Sequence, residues 1–425
     1  MALVVASQAW AGRVIDLGVF GGSTGILAED STSAATGISA NGIVVGSAWG
    51  NGHIDAFVYS GGQTRNVGAL GVFNQTGDSG QQSTGVYTYA RAVNSAGYVT
   101  GAASQTDQFQ AYESVNGSIS RMGVVPYGNG IGSGGTAINE KGSVAGWTGT
   151  ALPGGPFWGG YKTTGFVYVA GTMYNFLAPG SYYTMANGLN NNDLVVGTYG
   201  YDWRDPSYEI ASSYYAFSFD PHTQALTTLG TLGGRYSSAA AVNDAGQIVG
   251  TAADANGIPH AFLYSGTQMV SINPAFSSAY GISQDGHVVG SGYQSTSFVP
   301  GTAFVYYQGI LTDLNSLLPS NSGWDLIAAY GVNDAGQIVG QGYFNGQYHA
   351  FLMEDAFLPG QAASATSIGV SIVHTASQVP SFSGLGGDAV PPSAGAAPEP
   401  GTWALFLGAG AVLAQRRTRA GRGRV

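Results

Sequence analysis

Asp202, Asp205 and Glu209 stand in one short stretch with Arg204, and Tyr201, Trp203 and Tyr208 are interleaved with them. Carboxylates set this close could serve as general acid and base on a polysaccharide. The rings offer something simpler. Aromatic faces stack on sugar rings while neighbouring Asp and Arg side chains hydrogen-bond the hydroxyls. A second stretch, Trp147 to Thr164, adds Trp158 and Tyr161. Charged loops are most often only solvated, so recognition is expected here rather than catalysis. Trp158, Tyr161, Tyr201, Trp203 and Tyr208 are the candidate ligand-binding residues, and no catalytic residue is assigned. Two alternatives stand beside this reading. One is a polysaccharide-active hydrolase or lyase. The other is a purely structural matrix component whose rings fold back over loop backbone.

Other chemistry finds little support. His260 and His349 occupy equivalent repeat positions, which points to a structural use, and no His-x-x-x-His zinc motif occurs. The recurrent Asn-Asp-x-Gly turns lack the alternating carboxylates of a calcium loop. Gly128–Gly135 has no Lys-Ser/Thr after its glycines, as a phosphate loop requires. There is no Gly-x-Ser-x-Gly elbow. The chain has no cysteine, which removes thiolate catalysis and disulfide stapling alike. Neither a metal nor a cofactor is expected. The net charge is −10, and five of the thirteen basic residues sit at the extreme C-terminus, from Arg416 to Arg424. The remaining body is strongly acidic and repels nucleic acid.

What positions the candidate residues is a sentence written seven times, roughly Ala-x-Gly-Ile-Asn-Asp-x-Gly-x-Ile-Val-Gly. Its closing glycines are Gly46, Gly101, Gly146, Gly197, Gly250, Gly290 and Gly340. A spacing near fifty residues is that of one propeller blade or one solenoid turn. Each unit holds four strand-like phrases. Val242-Asn243 ends the first and Gln247–Gly250 forms the second, with a tight Asn-x-x-Gly turn between them. Unit four has Asp193 where that glycine belongs, and Asp tolerates the left-handed region. Ala261-Phe262-Leu263-Tyr264 typifies the third phrase. Met269–Ile272 typifies the fourth, where apolar and polar residues alternate as on a half-buried outer strand.

Units one to six each have a fourth phrase, and unit seven has none. A stray copy, Val14-Ile15-Asp16-Leu17, precedes unit one. Pairing it with unit seven would close a ring and remove exposed sheet edges. The expected fold is therefore all-β, a seven-bladed β-propeller over residues 13–358, closed by an N-terminal strand. The composition agrees: 69 glycines, 25 tyrosines and 8% charged residues suit short strands and tight turns. The first-to-second turns are nearly all alike. The long insertions, Ala69–Tyr89, Trp147–Thr164 and Thr198–Tyr215, map to the opposite face, where binding loops on a rigid frame are expected.

The two ends read differently. Residues 1–12 look like the remnant of a signal peptide or an apolar tail, with Ala9-Trp10-Ala11 as a small-x-small cleavage site but no basic region before it. Residues 359–397, rich in Ala, Ser, Gly and Pro, read as a flexible linker. Residues 398–425 carry Pro398-Glu399-Pro400, then Thr402 and Trp403, an apolar run to Ala414, and Arg416-Arg417. That run is too short to cross a bilayer, whose core needs about 20 apolar residues. This tail resembles the PEP-CTERM sorting signal of Gram-negative bacteria. The repeats, with His260-Ala261-Phe262 and His349-Ala350-Phe351, resemble bacterial extracellular HAF repeats. The first resemblance implies an exosortase-type processing enzyme as partner, transient inner-membrane contact through the C-terminus, and a final place at the cell surface or outside it. Exopolysaccharide or an envelope protein is the expected ligand. The HAF resemblance implies no chemistry for particular residues.

Overall fold

In a computed structural model the chain divides into two units, Met1–Ala356 and Phe357–Val425. The structure describes residues 13–18, 32–50, 53–70, 73–76, 82–85, 87–104, 109–123, 130–151, 161–201, 214–293, 301–354 and 356. These residues are all-β. One short 3-10 turn, Leu314–Leu317, interrupts the strands, and no α-helix occurs among them.

The four phrases become four antiparallel strands. In unit five, Gly233–Val242, Ile248–Asp254, Pro259–Ser265 and Gln268–Ser271 pair in chain order. Units one and six repeat this as separate four-stranded sheets. Units two, three and four are instead joined into one twelve-stranded sheet by two single parallel pairs, Phe109 with Gly132 and Thr163 with Tyr183. Unit seven contributes Trp324–Val332, Ile338–Phe344 and Gln347–Glu354. Its fourth strand is Arg13–Asp16, antiparallel to the third with Ile15 opposite Leu352. The residue after this strand behaves like its counterparts. Leu17 N–H donates to Ala350 O at 3.0 Å, as Val67 does to Ala56 and Ile272 to Ala261, both at 2.9 Å. All three of these side chains are buried.

The closing glycines have a steric cause. Each pairs across the sheet with the aromatic residue of the third strand, as Gly250 does with Phe262 and Gly101 with Tyr112. A Cβ on Gly250 would lie 2.0 Å from the first-strand carbonyl of Ser238 and 3.0 Å from the Phe262 ring. The other six glycines are equally crowded, with a first-strand carbonyl at 1.8–2.2 Å. Only glycine lets the strand come this close under a buried ring.

The turn asparagines do two jobs. Asn190 Oδ1 accepts from Leu194 N–H at 2.9 Å, which caps its own turn, and Asn190 Nδ2 donates to Asn243 O of the next unit at 2.9 Å. Asn94 reaches Asn139 O at 3.1 Å, Asn139 reaches Asn190 O at 3.0 Å, and Asn243 reaches Ser283 O at 3.2 Å. Asn333 of unit seven reaches Ser39 O of unit one at 3.1 Å. Ser39 and Ser283 stand where the asparagine is missing and keep only the cap. In unit one Asn41 Nδ2 then makes the link, to Ser95 O at 2.9 Å. Asp193 adopts φ +63°, the left-handed conformation its glycine counterparts take.

Two expected loops are shorter than read. The second strand of unit three continues to Ala151 and the third resumes at Tyr161, directly opposite it. Thr148, Thr150, Thr163 and Thr164 are β-branched and favour this extension. Within Ala69–Tyr89, Phe73–Thr76 and Gln82–Gly85 form a hairpin of their own.

Candidate functional site

On the face opposite the tight turns, unit four presents a group of tyrosines. Tyr199 leaves the second strand, Val195–Gly200, and Tyr214 and Tyr215 open the third, Tyr214–Asp220. Tyr199 meets Tyr201 edge-on with centroids 6.0 Å apart, and Tyr215 lies 5.6 Å from Tyr199 and 6.5 Å from Tyr201. The Tyr199 hydroxyl is 2.9 Å from Thr228 Oγ1. Tyr199 is itself buried in the core with Phe176, Phe217 and Phe219, so Tyr201 and Tyr215 have firm backing. Beside it Tyr183 packs edge-on against Tyr214 at 6.1 Å. Burial, reinforced by the neighbouring Tyr214, raises the Tyr183 phenol above its ordinary range, and it stays neutral at physiological pH.

Tyr201 is thus held half-buried just beyond the second strand of unit four. Tyr161 starts a strand in unit three, not a loop. Trp158, Trp203 and Tyr208, with Asp202, Arg204, Asp205 and Glu209, lie outside the described residues, as does the whole segment 398–425 carrying Pro398, Glu399, Pro400, Thr402, Trp403, Arg416 and Arg417.

His260 and His349 are tied into the frame. His260 Nδ1 lies 3.1 Å from Ala275 O, with Nε2 3.5 Å from Asp254. His349 Nδ1 lies 2.9 Å from Asp16 on the N-terminal strand, and its ring meets the stacked pair Trp324 and Phe344 edge-on. Among the described residues no three His, Asp or Glu side chains converge as metal ligands. Asp254 is held below the usual carboxylate range, first by the Ile258 N–H and then by Asn256, bonds that fold its own turn.

Sequence reasoning missed another set of residues. All seven first strands carry a β-bulge in the same place, at Thr36, Arg91, Thr136, Asn187, Ala240, Tyr280 and Tyr330. Each first strand packs against the first strand of the next unit, and that of unit seven packs against that of unit one. Each bulged residue follows a buried Ala or Gly yet is itself partly open to solvent. The signal was present in the sequence as a varying residue between two small ones, as in Ala90-Arg91-Ala92 and Ala329-Tyr330-Gly331.

No protein-family model and no curated protein matches the chain. Among solved structures, a puromycin-hydrolyzing peptidase of Mycobacterium tuberculosis is similar over 73% of this chain and 49% of its own, at 14% identity and a TM-score of 0.48. An oligogalacturonate lyase solved with manganese matches over 81% of this chain and 98% of its own, at 11% identity and 0.47. TolB of Acinetobacter baumannii matches over 58% and 60%, at 12% and 0.34. The chain thus spans about half the length of the peptidase and 60% of TolB. Likenesses this distant transfer no residue role.

Proposed function

We propose that this chain is an exported, non-enzymatic β-propeller of seven blades, closed by its N-terminal strand. On this reading an exosortase-type system sorts it to the cell envelope or matrix, where one face holds glycan or protein. Three features support the ring: the inner strands that follow one another from unit one to unit seven and back, the asparagine link from Asn333 to Ser39, and the pairing of Arg13–Asp16 with Gln347–Glu354. The Pro-Glu-Pro tail supports the sorting route.

One observation carries the binding reading. Tyr201 and Tyr215, backed by the buried Tyr199, form an aromatic platform beside the segment that carries Trp203 and Tyr208. Rings anchored in this way stack on a sugar without first losing side-chain freedom. The test is binding of envelope polysaccharide to the Trp158→Ala/Trp203→Ala double variant, with folding checked by circular dichroism. Stacking contacts contribute roughly 0.5–1.5 kcal/mol each, so affinity should fall about tenfold. Native affinity in the folded variant would move the site elsewhere. Release of reducing ends from the polysaccharide would establish the enzyme alternative instead.

A further inference from the structure

The bulged residues of the inner strands include one cation, Arg91, and two tyrosines, Tyr280 and Tyr330. Arg91 is the only charged residue among the seven. Its guanidinium carbon lies 5.9 Å from the centroid of the Tyr89 ring. Tyr112, of the same unit, and Tyr330, of unit seven, lie close enough to act on its charge. Tyr330 in turn packs on Tyr280 of unit six, with centroids 5.3 Å apart. The hydroxyl of Tyr112 is spent on Tyr89 O at 3.0 Å. Among the described residues, no carboxylate pairs with Arg91. Burial pushes the guanidinium below its ordinary range, partly offset by the tyrosines, and it remains charged at any physiological pH.

A desolvated cation without a counter-ion is costly in a protein interior. The body is acidic, yet among the described residues no carboxylate is placed here. The side chain is nevertheless partly open to solvent, as are the six other bulged residues. We propose that the passage between the inner strands is a binding site for a small oxyanion of the carboxylate class, with Arg91 as its anchor and Tyr280 and Tyr330 as its walls. A guanidinium fork matches a carboxylate with two parallel hydrogen bonds, and tyrosine faces suit the ring of an acidic sugar. The site rests on the closed-ring reading, because only a ring gives the inner strands a common passage. Loss of the ring would appear on truncation of the N-terminal strand. Loss of this site would appear only in ligand binding by the intact chain.

The experiment is calorimetric titration of the full chain with glucuronate, glucose and inorganic phosphate at fixed ionic strength, in the parent, Arg91→Gln and Arg91→Lys. Saturable binding of glucuronate, none of glucose, and weaker binding of phosphate are expected. Arg91→Gln should weaken glucuronate at least tenfold, with Arg91→Lys between the two. Arg91→Gln should also melt no lower than the parent, since it removes an unpaired charge. Three results would each overturn the proposal: no saturable binding to the parent, unchanged affinity in Arg91→Gln, or a large loss of stability in Arg91→Gln. Phosphate binding more tightly than glucuronate would refute the carboxylate assignment.

Discussion

Replacing Asn190 with alanine tests whether the turn asparagines hold neighbouring units together. The substitution removes an acceptor for Leu194 N–H at 2.9 Å and Asn192 N–H at 3.0 Å, and the donor to Asn243 O at 2.9 Å. Asn192 is exposed and its N–H regains water. Leu194 is half-buried, and Asn243 is fully buried at 0% exposure. The Leu194 N–H is left unpaired at a cost of roughly 1–3 kcal/mol, while Asn243 O keeps Gly246 N–H at 3.0 Å and loses only its second bond, worth about 0.5–1.5 kcal/mol, so the total is about 2–4 kcal/mol. Asn190→Ser is the informative control. Ser39 and Ser283 show that a serine hydroxyl still caps the turn, at 2.9 and 3.0 Å. Only the bond between units is then lost, and Asn192 Nδ2 still reaches Asp244 O at 3.1 Å. The serine variant should lose about a third as much as alanine. Urea unfolding, followed by tyrosine and tryptophan fluorescence, gives both values from the shift in midpoint. Equal stability of all three proteins would refute the linking role. A serine variant as stable as the parent, with alanine still destabilised, would show that the effect lies within the turn and not between units.

Two further outcomes follow from the chain ends. Deleting residues 1–18 removes the buried Leu17, worth about 1.5–3 kcal/mol, and bares the edge of Gln347–Glu354, so melting should fall and aggregation rise. The exposed Arg13–Glu354 pair at 3.3 Å adds little to this loss, and an unchanged melting curve would refute closure through this strand. Replacing Pro398, Glu399 and Pro400 with alanine should leave folding intact but alter size and cell fraction in a host carrying an exosortase, as read by immunoblot. Unaltered processing and location would remove the sorting role.

Much of the frame was legible in the chain because its causes are local. Alternation of apolar and polar residues marks a strand wherever it occurs, and an Asn-x-x-Gly turn closes on its own atoms. Counting fourth phrases placed Val14–Leu17 beside unit seven, and Ile15 lies opposite Leu352. The left-handed turn at Asp193 followed from the same pattern. Other features depended on atoms distant in sequence. Nothing local says that Gly250 must be glycine because Phe262 lies over it, or that Asn190 Nδ2 belongs to Asn243. The extension of unit three to Ala151 and Tyr161 needed cross-strand pairing to outweigh the glycines between them. The variable second residue of each repeat phrase was visible but mute. Sequence spacing separates Arg91 from Tyr330 by most of the chain, and only the packing of inner strand on inner strand brings their side chains within electrostatic reach.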